Sequence, residues 1–217
     1  MPGTGHVRDG RPALKYFGFG TERSRGGAYG LCVARRPRVS FAGALYHVST
    51  RGNRRCEIYR DNDDRRWFLS TLTRVVHRAS WRCHAYCLMT THYHLLIETP
   101  AETISTGMQL LNGRYARDFN WKYGLKGHLF EERFHDELVE DEEHLLEVSR
   151  SIVLNPVRAR ICPDPAWWPW SSYRAMVGEA VAPPFLTLEW LTAVFGATPA
   201  RARARYRGFV EDGLNRT

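Results

Sequence analysis

At 217 residues, with 43% hydrophobic and 12% aromatic side chains, the chain has material for one domain of ordinary size with a buried core, plus tails. No stretch approaches the roughly 18 consecutive apolar residues of a membrane-spanning helix, and the N-terminus has no apolar centre of the signal-peptide kind, so a cytoplasmic protein with no membrane partner is expected. Lys and Arg number 31 against 23 Asp and Glu, a net charge of +8 carried almost wholly by Arg; Arg-rich surfaces suit phosphates and stacked bases, although a GC-rich coding sequence gives the same excess.

Residues 1–38 differ from the rest. The first thirty hold eight glycines without a sustained period, and to Arg38 there are eight Lys/Arg against two acids. This composition predicts a disordered basic extension; a true start near Val33 is the other reading. Order begins near "GALYHVSTRGN" (43–53), where Tyr46 and Val48 alternate with Leu45, His47 and Ser49 as in a strand. Residues 61–80 read as a helix: Asp61 caps it, Asp63 and Asp64 suit its positive end, and Trp67, Phe68, Leu72, Val75, Val76 and Ala79 form an apolar stripe. "RCHAYCLM" (82–89) and "HYHLLIE" (92–98) read as a hairpin about Thr90–Thr91. A second helix spans 103–124 and ends at Gly124. A fourth strand is expected over 133–140, and a third helix over 141–155, stopped or kinked at Pro156. The order β-α-β-β-α-β-α predicts an α+β fold with the ferredoxin-like split βαβ pattern and an antiparallel sheet. That domain is placed at 39–177, with 178–217 as a linker and a basic helical tail.

Five cysteines, an odd count, argue against a disulfide framework. Cys83 and Cys87 precede His92 and His94, which raises a zinc site. Structural zinc usually pairs a close CxxC with a distant His pair, so buried thiols are the expectation. In a strand, residues two apart share a face at about 6.6 Å. His92 and His94 therefore point the same way, with Tyr93, Leu95 and Ile97 on the other face. Both a pair of histidines near a sheet end and a site for Mg²⁺ or Mn²⁺ fit that spacing; a third nitrogen or oxygen ligand would favour the ion. Tyr115 in "NGRYARDFN" is a candidate hydroxyl nucleophile or a half-buried helix tyrosine.

Six ordered blocks go further: "GALYHVSTRGNRR", "YCLMTTHYHLLIET", "MQLLNGRYARDFN", "GHLFEERFHDELVEDEEHLLEVSR", "IVLNPVRA" and "WPWSSY". Over about residues 38–175 the chain resembles the REP-associated tyrosine transposases, relatives of the single-stranded DNA transposases with an HUH metal motif. The resemblance implies a divalent ion held by a histidine pair and a third ligand. It implies attack of a tyrosine on a DNA phosphate, giving a 5′-phosphotyrosine and a free 3′-OH. His92 and His94 match the pair. The family's tyrosine lies on the third helix in a pattern Tyr-Ile-x-x-Asn-Pro, which here reads Ser151-Ile152-Val153-Leu154-Asn155-Pro156. Asn155 thus matches the third ligand, and Ser151 stands where the nucleophile is expected. Thr90–Thr91 also replaces the Pro-Asn usual before the histidines.

Glu147, Ser151, Asn155 and Arg158 recur at helical spacing as one polar stripe. Serine is a shorter and weaker nucleophile than tyrosine, so cleavage is expected to be impaired. An engineered inactive chain, a decayed or repurposed copy, and substitution by Tyr115 are the competing explanations. The expected partner is single-stranded or hairpin DNA, bound as a monomer or homodimer, with Arg51, Asn53, Arg54, Arg55, Arg114, Arg117, Arg133 and Arg158 as candidate contacts. Trp167, Trp168, Trp170 and Tyr173 suit either base stacking or packing, with packing favoured. A non-catalytic DNA-binding regulator and a metal-dependent hydrolase unrelated to nucleic acid are the alternatives.

Overall fold

The computed structural model describes residues 40–196 and 198–214. The basic extension expected over 1–38 and Cys32 lie outside the described residues. Four strands, β1 (Ala44–Arg51), β2 (Arg82–Leu88), β3 (His92–Thr99) and β4 (His135–Leu138), form one sheet in the order β2-β3-β1-β4. Every neighbouring pair is antiparallel. With α1 (Asn62–Arg78) between β1 and β2 and α2 (Ile104–Tyr123) between β3 and β4, this is the split βαβ pattern expected from the sequence.

Alternation along the strands decides which helix covers which face. Tyr46 and Val48 of β1 and Tyr93, Leu95 and Ile97 of β3 pack on Phe68, Leu72 and Val75 of α1 and on Met108, Leu111, Tyr115 and Phe119 of α2. The opposite face is covered by α3 (Glu142–Arg158): Ala85, Cys87 and Leu96 pack with Val148, Ile152 and Val153. After the short α4 (Tyr173–Met176), two helices extend that second layer, α5 (Glu189–Phe195) and α6 (Pro199–Leu214). Trp190, Tyr206 and Val210 join its apolar cluster.

Helix ends follow local chemistry. Asp61 accepts from the Asp64 amide while the Asp64 carboxylate accepts from the Asp61 amide, a reciprocal capping box. Lys122 at the end of α2 reaches Asp61 at 2.8 Å and Asp64 at 2.7 Å, tying the two helices together. Lys122 lowers the Asp61 carboxyl to about 2. Gly124 ends α2 in the left-handed conformation, φ 62°. At Pro156, where a stop or a kink is expected, α3 runs on to Arg158 with the proline inside it, and β4 is shorter than the expected 133–140. Proline has no N–H to give to the carbonyl four residues back. The Asn155 side-chain amide covers that Ile152 oxygen at 3.4 Å and the Ser151 oxygen at 3.0 Å. Among the described residues no helix is long and apolar enough to cross a membrane.

Candidate metal centre and nucleic-acid interface

His92 and His94 share a strand face with Leu96, which packs under α3. Their rings lie 5.1 Å apart, centre to centre, at 87°. Each ring is held through Nδ1. The Thr91 hydroxyl lies 3.1 Å from His92 Nδ1, and His47 Nε2 lies 3.0 Å from His94 Nδ1. Among the described residues no hydrogen bond takes up either Nε2, the nitrogen that an imidazole commonly offers to a metal. Burial pushes the His94 imidazolium down to about 3, helped by the charges of His47, His92 and Arg51; burial and then Arg51 also lower His92. Both rings are therefore neutral near pH 7, the form that binds a cation.

Asn155 gives both of its amide contacts through Nδ2, to Ser151 and Ile152, which leaves Oδ1 as an acceptor. Among the described residues no three His, Cys, Asp or Glu side chains form a ready ligand set. Two imidazole nitrogens and an amide oxygen, with positions left open, are chemically suited to Mg²⁺ or Mn²⁺ at a phosphate. Ser151, one turn before Asn155, accepts a hydrogen bond from Arg158 Nη1 at 2.9 Å. The stripe is divided at its start: Glu147 pairs with Arg150, whose guanidinium lies 4.3 Å from the Phe209 ring centre.

Tyr115 belongs to the other layer. It is 1% exposed, its hydroxyl donates to the Ile58 carbonyl, and Phe68, Phe119 and Phe130 surround its ring. Burial drives its phenol far above the ordinary value, so it is a core residue and not a nucleophile for the histidine face. Cys83 and Cys87 are buried thiols whose ionisation burial opposes.

The basic candidates are spread over the molecule. Arg51 ends β1 in register with His92, exposed to solvent. Gly52 follows, and an added Cβ there would collide with the Cys56 carbonyl, so the chain turns tightly. Asn53, Arg54 and Arg55 form that turn. Arg54 and Arg55 both hold positive φ, 53° and 59°, an uncommon and strained state for non-glycine residues. Backbone bonds from Gly52 to Thr91 and from Ile58 to Thr90 dock the turn beside the link that leads into His92. Arg133 is exposed just before β4, and Arg158 sits on Ser151. Arg114 and Arg117 instead line a groove of about 670 Å³ between α1 and α2, in the layer across the sheet from the histidines. Of the aromatic set, Trp168 donates to the Leu88 carbonyl and, with Trp170, contacts the Arg65 guanidinium; Tyr173 is buried, and Trp167 is 69% exposed. His47, on the same face of the sheet as His94, also belongs to this cluster; its only signal in the sequence is its alternation with Tyr46 and Val48 along β1.

A solved structure of a REP-associated tyrosine transposase bound to a REP hairpin has a similar fold, with a TM-score of 0.57 at 17% identity, covering 71% of this chain and 92% of that one. No curated protein sequence matches the chain. The model of the IS200-like transposases matches residues 40–152, just over half of the 217 residues, from before β1 to Ile152 of α3. The chain belongs to the IS200-like transposase family.

Proposed function

We propose that this chain binds single-stranded or hairpin DNA with a divalent cation, Mg²⁺ or Mn²⁺, held by His92, His94 and Asn155, and that its strand-cleaving activity is impaired. The observation that carries this reading is the histidine pair itself, each ring neutral and fixed through Nδ1 on the strand face beneath α3. When bound, the ion supplies Lewis-acid polarisation of the scissile phosphate. Arg51 and the Asn53–Arg55 turn hold the DNA backbone beside the pair, with Arg133 and Arg158 at its margins. Ser151 occupies the nucleophile position, its hydroxyl engaged by Arg158. A serine hydroxyl without a general base is a weak nucleophile. The non-catalytic reading, a DNA-binding regulator, draws its support from that Ser151–Arg158 bond. We take residues 39–177 as the transposase-like domain, 178–217 as an addition to it, and the cytoplasm as its location.

The test pairs the natural chain with Ser151→Tyr, each incubated with labelled DNA hairpins and Mn²⁺ and run on a denaturing gel. The natural chain is expected to shift hairpins at low salt and to give no covalent adduct; Ser151→Tyr is expected to give one. An adduct mapped to Ser151 in the natural chain overturns the impairment. Failure to bind any hairpin or single strand at low salt overturns the DNA reading.

A further inference from the structure

His94, His47 and Glu137 lie in one row across β3, β1 and β4. Sheet order makes the row. His47 is directly opposite Glu137 on β4 and one diagonal step from His94 on β3, where its direct partner is Leu96. Diagonal neighbours on a strand face are within reach of long side chains. His47 Nε2 lies 3.0 Å from His94 Nδ1, and His47 Nδ1 lies 3.6 Å from Glu137 Oε2. The other Glu137 oxygen lies 3.9 Å from His144 Nε2 of α3.

A neutral imidazole carries one N–H and one lone pair. A carboxylate accepts only, so Glu137 favours the His47 tautomer with the proton on Nδ1; the reverse tautomer would set a lone pair against a negative oxygen. His47 Nε2 is then an acceptor. The proton in the 3.0 Å contact must belong to His94 Nδ1, which leaves His94 Nε2 as a bare lone pair. We propose that His47, backed by Glu137, is a positioning residue that fixes His94 in the Nδ1–H tautomer and so presents Nε2 to a divalent cation. This rests on the reading of His94 as an ion ligand. His92 is served separately, by Thr91, so the two ligands have independent supports. Outer partners of this kind commonly change metal affinity by about 10- to 100-fold when removed.

The experiment has two arms on the full chain. In the first, nitrogen NMR of ¹⁵N-histidine-labelled protein without metal reads which His94 nitrogen carries the proton. In the second, calorimetric titration with Mn²⁺ compares the natural chain with His47→Leu, His47→Gln and Glu137→Gln. Expected are an Nδ1–H signal for His94 in the natural chain, its loss in His47→Leu, and a Mn²⁺ affinity lower by about 10-fold or more in that variant. His47→Gln keeps an acceptor at the same reach and is expected to stay within about threefold. Should His47→Leu fail to fold, Glu137→Gln, at a half-exposed position, carries the comparison with a smaller loss. A proton on His94 Nε2 in the natural chain overturns the proposal, as does an unchanged affinity in both His47→Leu and Glu137→Gln. A natural chain that takes up no Mn²⁺ overturns the ion-site reading instead, and the metal-free spectra judge the tautomer separately.

Discussion

The two faces of the sheet are built from the same strands by alternation, yet they are chemically opposed. Towards α1 and α2, β1 and β3 send Tyr46, Val48, Tyr93, Leu95 and Ile97 into an aromatic core in which Tyr59, Phe68, Tyr115 and Phe130 meet edge to face or tilted. Towards α3 they send His47, Ser49, His92 and His94, with Leu96 as the apolar anchor. The first face excludes water, and two of its hydroxyls are bonded, Tyr93 to Asn112 and Tyr115 to Ile58, while that of Tyr59 is buried without a hydrogen-bond partner among the described residues. The second face keeps ionisable rings half-buried and neutral. Stability and chemistry are thus separated by one side-chain period, and a one-residue slip of β3 would exchange them.

Substitutions that act on one face only should break this comparison most sharply. Phe68→Ala removes a fully buried ring against Tyr93 and Tyr115. A loss of about 3–5 kcal/mol in urea unfolding is expected, with hairpin affinity of the folded protein unchanged. A loss below 1 kcal/mol would mean the aromatic layer is not where stability resides. The histidine face gives a pH-dependent effect. Burial lowers His47, His92 and His94, His94 to about 3, so the unfolded chain takes up more protons than the folded one below about pH 6.5. Stability therefore falls as pH drops from about 6.5 towards about 3 and is unaffected by these groups above that window. His94→Leu should flatten the slope of urea midpoints measured between pH 6.5 and 4.5; an unchanged slope would remove the cluster as its source. The smallest effect belongs to Arg54→Gly. Relief of a positive φ is expected to stabilise by about 0.5–1 kcal/mol while hairpin binding weakens and its salt dependence becomes shallower. Unchanged binding would release this turn from the DNA contact.

Much of this division was legible before the fold. Period-two alternation placed His92 and His94 on one face and Tyr93, Leu95 and Ile97 on the other. Asp61 and Gly124 marked helix ends through capping and left-handed geometry, which are local properties. What the sequence concealed was non-local. His47 meets His94 only because β1 pairs with β3, and Glu137 only because β4 lies on the other edge of β1, adjacencies no single strand encodes. Tyr115 and Arg114 sit in a conspicuous polar run, but α2 lies across the sheet from the histidines, so neither is on their face. Pro156 reads as a stop because a proline strips the Ile152 carbonyl of its backbone partner; the neighbouring side chain that replaces that partner is visible only in three dimensions.

That replacement has a consequence for the geometry of Asn155. A terminal amide on a helix surface is a nearly symmetric rotor, free to exchange its oxygen and nitrogen by a half-turn. Here the Ser151 carbonyl at 3.0 Å and the carbonyl freed by Pro156 at 3.4 Å both draw the Nδ2 side inward, so the oxygen is left with one direction. The proline at position 156 therefore offers a side chain one residue earlier a second carbonyl to hold, beside the Ser151 oxygen that does not depend on it. Pro156→Ala would hand the Ile152 carbonyl back to the backbone and leave the Ser151 bond alone to orient the amide, loosening Asn155 without altering it.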